Sequence, residues 1–484
     1  MSQKVLHRMA NREGHLEVIL DKTAEGEVVF LKSGQSIHLE DSLIGRSPLE
    51  AIQLTQRLST KSGVAHGIAA TLALENYLQI EPARTGQLVR HIQLYLSTIH
   101  SHIHHFYWEV LPDYLNLAHE TSEFKKYYMG LKLGRARRGD LSRKKGRKIL
   151  AHLPQAYRTL GILQEALAEL GGKFPVVMNL IPGGVTNFSL DRKLIMRLLR
   201  SLEQSKAFIE LVWPTDVKEF IQAVPNSTKT FDEGMYLISF GSLLLKKGEN
   251  QQQFYSTGVL MEEKKDSLNE LKITESLYHT YYRLISRLEE DDDNFYDPKR
   301  KEAYTWIKGA RYESEPMFTG ALARMLVTHV MGGNLDISDN MQRMIEDLQL
   351  PPDAPNCLAS RLLAEVLETR FFMREVMEHL QSLDPMKDRN LKRSFDFQLQ
   401  GSGTGKVEAP GGSLLHEVWI KDGLITQYRI VSPANWNFST TDSSGKTGIV
   451  ERELNRLHQA GKLTSRECSK VLNSYYIQVL DGTQ

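Results

Sequence analysis

Cysteine occurs only twice in 484 residues, at Cys357 and Cys468, and that scarcity excludes whole ways of holding a chain together. Two thiols are too few for a disulfide framework or a four-sulfur metal site. Buried, inert thiols are the default reading for both. The fold must therefore come from burial of apolar surface. At 41% hydrophobic and 25% charged residues the composition is ordinary globular material, ample for a sizeable core. A formal net charge of +1 gives no global pull toward nucleic acid or an anionic membrane. No apolar run approaches the roughly 18–20 residues of a membrane span. The N-terminus, MSQKVLHRMANREGH, lacks an apolar signal core. These features point to a cytoplasmic protein that reaches a membrane only through a partner.

Residues 16–20 and 28–32 alternate as short strands. Pro48, suited to a first helical position, opens a helical pattern that runs to about residue 80. A second runs from about Thr85 to Val110 and is punctuated by Pro112. Helical periodicity returns at about 146–170, 190–206, 268–289, 318–331, 337–348 and 357–383. Residues 236–245 and 414–431 are strand-like, with Asp422-Gly423 as a hairpin turn in the second. Two short helices, about 446–460 and 464–474, lead into the tail.

Several stretches imitate functional motifs. His100, His102, His104 and His105 precede Phe106-Tyr107-Trp108, and His100 and His104 have the spacing of a two-histidine metal site. A structural role is favoured there. Gly401-Ser402-Gly403-Thr404-Gly405-Lys406-Val407 fails as a phosphate loop, because Gln400 and Val407 stand where glycine and Ser or Thr are needed. It reads as a mobile loop. The basic run Arg135, Arg137, Arg138, Arg143, Lys144, Lys145, Arg147 and Lys148 has no interleaved aromatic residues for base stacking. A solvated loop or an acidic partner's docking patch is favoured over nucleic acid, with Glu289-Glu290-Asp291-Asp292-Asp293 as a natural counterweight.

Six blocks carry a resemblance to a known family. They are Asn11-Arg12-Glu13-Gly14-His15, Glu40 followed by Gly45-Arg46, and Tyr304-Thr305-Trp306-Ile307-Lys308-Gly309-Ala310-Arg311-Tyr312. The others are Gly320-Ala321-Leu322-Ala323-Arg324, Glu408-Ala409-Pro410-Gly411-Gly412-Ser413-Leu414-Leu415-His416 and Pro433-Ala434-Asn435-Trp436-Asn437. In this order they resemble Thr-Arg-Ile-Glu-Gly-His, Arg-Gly-x-Glu, Tyr-Ser-Trp-Ile-Lys-x-Pro-Arg-Tyr, Gly-Pro-Leu-Ala-Arg, Glu-Ala-Pro-Arg-Gly-x-Leu-x-His and Pro-Thr-Thr-Trp-Asn of nickel–iron hydrogenase large subunits. The resemblance covers nearly the whole chain. It implies an α+β, mainly helical fold with a central bundle of long helices and small peripheral sheets. That is one domain over 1–484, with an N-terminal β segment (1–47), a helical core with inserted strands (48–395) and a C-terminal β segment and tail (396–484).

The departures fall on the chemistry. The family's first metal-binding cysteine pair resembles the stretch Arg57-Leu58-Ser59-Thr60-Lys61-Ser62-Gly63-Val64-Ala65-His66, which puts Ser59 and Ser62 at the ligand positions. The second pair corresponds to Gln478 and Asp481, the overhanging arginine to Gly411, and the terminal histidine that helps hold magnesium in relatives to Gln484. Soft thiolates suit nickel and low-valent iron, whereas hydroxyl, amide and carboxylate oxygens do not. The resemblance therefore implies neither a nickel–iron cluster nor a magnesium ion here. Glu13, Glu40, His66, Arg324, Glu408 and His416 keep family identities, and structural bracing is the favoured role for the last five. A vacated polar cavity must be refilled, and Lys61 and Asp481 are the candidates to pair across it. The alternatives are an Asp481 that faces water and a hard-metal site built from Asp481, Glu40 and the serines.

The implied function is a non-catalytic large-subunit homologue serving as a scaffold, a maturation factor or a structural subunit. Its partner would be an iron–sulfur small-subunit-like protein or the maturation proteins, with no nucleic acid. The alternative is a redox-complex subunit binding a quinone or another organic ligand in the vacated cavity, where Tyr475 and Tyr476 stand. A working hydrogenase with unorthodox ligands ranks third.

Overall fold

A computed structural model describes residues 2–11, 14–23, 26–34, 38–116, 124, 126–128, 140–186, 190–224, 226–229, 235–241, 245–247, 250–252, 254–262, 264–283, 296–352, 355–384 and 395–475. The N-terminal segment is an antiparallel meander of β1 (Ser2–Asn11), β2 (Gly14–Thr23) and β3 (Gly26–Ser33), one strand more than the sequence pattern suggests. After a short α1 (Leu39–Ser42), α2 (Pro48–Thr55) begins with Pro48 at its first position, where no backbone donor is needed. A 3₁₀ turn and the Ser59–Ser62 bend separate it from α3 (Gly63–Leu78), so the single helix expected over 48–80 is two.

Helix α3 is buried without a break from Gly63 to Ala70, as befits a sequence that is small and apolar on nearly every face. Beside it run α4 (Arg84–His104), which passes into a π-helical turn over His105–Val110, then α5 (Arg143–Leu150) and α6 (Leu153–Gly171). A two-stranded pair, β4 (Leu180–Ile181) with β5 (Gly184–Val185), leads to α7 (Arg192–Ala207) and α8 (Trp213–Ala223). Asp191 caps α7 by accepting from the Leu194 amide.

Small sheet elements follow. β6 (Tyr236–Ser239) pairs with β9 (Gly258–Met261), which also carries β10 (Lys264–Asp266); β7 (Leu245–Lys247) pairs with β8 (Asn250–Gln252). β11 (Ile273–Ser276) pairs with β12 (Gly309–Tyr312). This corrects the helix expected over 268–289. Leu271, which a helix would bury, is 92% exposed, and Ile273 is spent on the β12 register. Helices α9 (Ala321–Val330), α10 (Leu335–Asp347) and α11 (Leu358–Ser382) complete the bundle. Tyr95 of α4 stacks on Phe372 of α11 at 4.1 Å, fixing the central pair.

The C-terminal sheet is β13 (Gly401–Ala409), β14 (Gly412–Lys421) and β15 (Leu424–Val431), with Asp422 and Gly423 both at positive φ in the expected hairpin turn. Strand β13 corrects the mobile-loop reading of 401–407. Its glycines recur every second residue and so share one face. A Cβ on Gly405 would stand 2.0 Å from the Ala69 carbonyl oxygen, and one on Gly403 2.1 Å from that of Ala73. Glycine lets the strand lie directly on the α3 backbone. Helix α12 (Pro433–Asn437), α13 (Ile449–Gln459) and α14 (Ser465–Ser474) return the chain to the bundle.

Candidate functional site

Ser59 and Ser62 lie in the tight bend that joins α2 to α3. The bend is clamped by Gln56, whose side chain donates to the carbonyl oxygens of Ile52 (3.0 Å) and Val177 (2.9 Å) and accepts from the Val177 amide (2.8 Å). Ser59 Oγ accepts from the amides of Lys61 (3.2 Å) and Ser62 (3.1 Å), so it acts as a turn cap. Ser62 Oγ is buried and has no hydrogen-bond partner among the described residues. Lys61 Nζ lies 2.6 Å from Glu109 Oε1, and His104 Nδ1 lies 2.9 Å from the same oxygen. Burial alone would raise the Glu109 carboxyl, but Lys61 and His104 outweigh it and hold the group well below the usual range. Asp481, the expected partner of Lys61, lies outside the described residues, as do Glu13, Tyr476, Gln478, Gln484, Arg135, Arg137, Arg138 and the acidic run 289–293.

Behind the bend, His66 of α3 and His416 of β14 meet at 2.9 Å, and His416 Nδ1 lies 2.8 Å from the Tyr428 hydroxyl of β15. Burial, with His66 alongside, pushes His416 far below the ordinary histidine range. Glu40 of α1 pairs with Lys308 and accepts from the Ile430 amide at 2.6 Å, tying the N-terminal segment to the C-terminal sheet.

Arg324 of α9 is the hub of the bundle. It donates through Nε to Glu368 of α11 (2.6 Å), and through Nη1 to Glu408 (3.2 Å) and the Ala409 carbonyl (3.1 Å) of β13. Glu368 also accepts from the Tyr255 hydroxyl (2.7 Å) and contacts His102 Nε2 (2.6 Å). Burial works against its charge, yet Arg324 and His102 hold it down at about 2. Glu408 accepts from the Phe240 amide (2.6 Å) and Ser413 Oγ (2.8 Å), but burial prevails and pushes it up to about 7. Thus His66, Arg324, Glu408 and His416 sit in buried networks that join elements, and Glu40 does so nearer the surface.

Sequence reasoning missed the partners. Arg361, Glu365 and Glu368 share one face of α11, while His102, on the last turn of α4, and His105, which opens the π-helical turn after it, both reach that face. His105 Nδ1 lies 3.0 Å from Glu365 and its Nε2 2.6 Å from the Asn473 carbonyl at the end of α14. The histidine stretch is spent in this way: His100 contacts Gln164 (2.9 Å) and His104 contacts Glu109, so the two bind separate side chains. The available signal was the shared spacing of charges on two long helices. Cys357 caps α11, Cys468 lies in α14, and both are buried.

Gly411 borders a narrow cleft of about 20 Å³ between the start of α9 and the end of α14. Thr319, Gly320, Ala321, Arg361, Glu365 and Tyr475 help to line it. Arg361 donates to Asn356 Oδ1 and to Ser474 Oγ, both at 2.9 Å, and lies 4.0 Å from the Tyr475 ring centre.

The profile of the family described as "Nickel-dependent hydrogenase" matches residues 38–126 and 124–475. The periplasmic [NiFeSe] hydrogenase large subunit of Desulfomicrobium baculatum is 26% identical over 466 residues, covering 91% of this chain and 87% of that protein. The quinone-reactive Ni/Fe-hydrogenase large chain of Wolinella succinogenes is also 26% identical, covering 96% and 92%. The fold superimposes on the oxidised Ni-Fe-Se hydrogenase of D. vulgaris Hildenborough with a TM-score of 0.81 at 22% identity, covering 98% of each chain.

Proposed function

Because this chain belongs to the nickel-dependent hydrogenase family, we propose that it is a large-subunit homologue that performs no hydrogen chemistry. It serves instead as a scaffold, an assembly or maturation factor, or a structural subunit of a hydrogenase-like redox complex. The observation that carries this reading is the donor chemistry of the Ser59–Ser62 bend. Both positions offer hydroxyls, and Ser59 Oγ is already engaged by two backbone amides. A serine hydroxyl is too weak an acid to ionise and bridge two soft metals, so the residues do not fit a thiolate-held nickel–iron cluster. The chain's two thiols are committed elsewhere, to the α11 cap and to α14. With Gln484 in place of the terminal histidine, magnesium is also left out of the proposal.

The proposed partner is an iron–sulfur small-subunit-like protein or a hydrogenase maturation protein. The two curated relatives are themselves named as a large subunit and a large chain. Among the described residues no helix is long and apolar enough to cross a membrane. Cytoplasmic residence is part of the proposal, to be tested by fractionation, since one relative is periplasmic. The alternative, a subunit that binds an organic ligand in the vacated cavity, draws no support from the Gly411 cleft, whose volume of about 20 Å³ holds little more than a water.

The deciding experiment is infrared spectroscopy with metal analysis on protein purified from its own host with partners attached. Absence of carbon monoxide and cyanide stretches, with a partner still bound, is expected. Those stretches with stoichiometric nickel and iron would overturn the reading.

A further inference from the structure

His105 opens the π-helical turn after α4 and is fully buried. Its two ring nitrogens face groups on two other elements. Nδ1 lies 3.0 Å from the Glu365 carboxylate of α11, and Nε2 lies 2.6 Å from the Asn473 carbonyl near the end of α14. A carbonyl oxygen and an ionised carboxylate only accept, so both nitrogens must donate. A neutral imidazole carries one N–H. The ring is therefore an imidazolium in the interior, with Glu365 as its counter-ion.

Charged groups from the surrounding elements bear on it. Glu109 of the same turn adds negative charge, and Lys61 of the bend opposes it. His102, one turn earlier on α4, lies 4.0 Å from Glu365 through Nδ1 and 2.6 Å from Glu368 through Nε2. Arg361, one turn before Glu365 on α11, donates to Ser474 Oγ at 2.9 Å, and Asp113 accepts from the Asn473 side chain at 2.7 Å. Within α14, Arg466 and Lys470 are engaged by Asp140, and Glu453 of α13 accepts from the Tyr475 hydroxyl. Burial works against a charge on His105. Glu365 and Glu109 outweigh burial and Lys61, and the ring holds its second proton above the ordinary histidine range.

Loss of that proton breaks the bridge at a defined point. The neutral ring keeps one N–H, and the charged Glu365 competes for it more strongly than the carbonyl does. Nε2 is then a lone pair facing the Asn473 oxygen, and an attractive contact becomes a repulsive one. We propose that His105 is a proton-operated latch, which fastens the last turn of α14 to α4 while the ring is charged and lets it go when the ring is neutral. Because the folded chain holds the proton more tightly than the unfolded one, the latch is closed below about pH 6.5 and opens as pH rises through the folded value. Asp113, which burial pushes up to about 6, loses its proton over a lower range. The latch does not rest on the scaffold reading, since metal analysis tests that reading and α14 packing tests this one.

The test is hydrogen–deuterium exchange by mass spectrometry on the full chain with partners attached, from about pH 6 to 9, with rates corrected for intrinsic exchange. A peptide over 469–475 is compared with one over 358–373 of α11. Protection of the first should fall by about tenfold across that range, for one lost charge-assisted bond, while the second stays level. His105→Gln, which cannot gain or lose a proton, should abolish the step, and Asp113→Asn should leave it in place. NMR of the histidine-labelled unmutated chain guards against misfolding of the variant. The His105 ring should titrate above about pH 6.5, at the midpoint of the exchange step. Level protection of 469–475, a step that survives in His105→Gln, or a ring already neutral at pH 6 would overturn the proposal.

Discussion

Two buried arginines, Arg324 and Arg361, face each other's helices in the same bundle and are treated in opposite ways. Arg324 is closed: Glu368 and Glu408 neutralise it, and backbone carbonyls take the remaining donors. Arg361 is open. It donates to an amide oxygen and a hydroxyl, a phenol ring lies against it, the charge of Glu453 supports it from further away, and among the described residues its Nε–H has no acceptor. A charge with carboxylate partners on neighbouring elements stitches them together, and that is what Arg324 does for α9, α11 and β13. A charge whose direct partners are neutral ties its neighbours together less tightly. The contrast separates an arginine that braces the fold through paired charges from one that does so through neutral contacts.

Replacing Arg324 with methionine should test the bracing side most severely. Glu368 and Glu408 would be left buried without their counter-charge, at a cost of about 3–5 kcal/mol by urea denaturation. Gly405→Val comes next, at about 2–3 kcal/mol, because the new side chain meets the Ala69 carbonyl rather than a movable side chain. Arg361→Met should cost only about 1–2 kcal/mol, since the groups it bonds directly, Asn356 and Ser474, are neutral. Should it prove as damaging as Arg324→Met, the distinction between a closed and an open arginine would collapse.

A last effect is one of pH, at the anchor of α14. Asp113 accepts from Ser469 Oγ (2.9 Å) and Asn473 Nδ2 (2.7 Å), and burial pushes its carboxyl up to about 6. A raised acid stabilises the fold most when protonated. Its contribution is complete below about pH 4 and is lost as pH rises through about 6, a change of about 2–3 kcal/mol. Asp113→Asn should flatten the stability profile across that window. A profile that keeps its slope would remove Asp113 as the source and leave the Ser474–Arg361 contact independent of this anchor.

Much of this was legible in the sequence because it is local. Pro48, Asp422-Gly423 and the spacing of apolar residues in α4, α10 and α11 each act within a few residues of themselves. The Gly401–Gly405 alternation was misread because glycine signals both loops and close backbone approach, and only α3 lying against it decides which. The 268–289 stretch had helical spacing, but β12 offered Ile273 a better burial site. At the site, the Ser59 and Ser62 hydroxyls could be located in advance, whereas Lys61's partner Glu109 could not, because it is set by how α4 passes the bend.

The sequence by itself determined the family, the element order over most of the chain, and the presence of serine hydroxyls and only two thiols where chemistry would be sought. Tertiary structure alone decided which charges meet. Spacing along a helix tells which residues share a face, but the partner on the facing helix depends on axial position and rotation, which no local pattern encodes. That is why Arg324 could be singled out in advance while Arg361, bridging Asn356 and Ser474, emerged only once α11 and α14 were packed together.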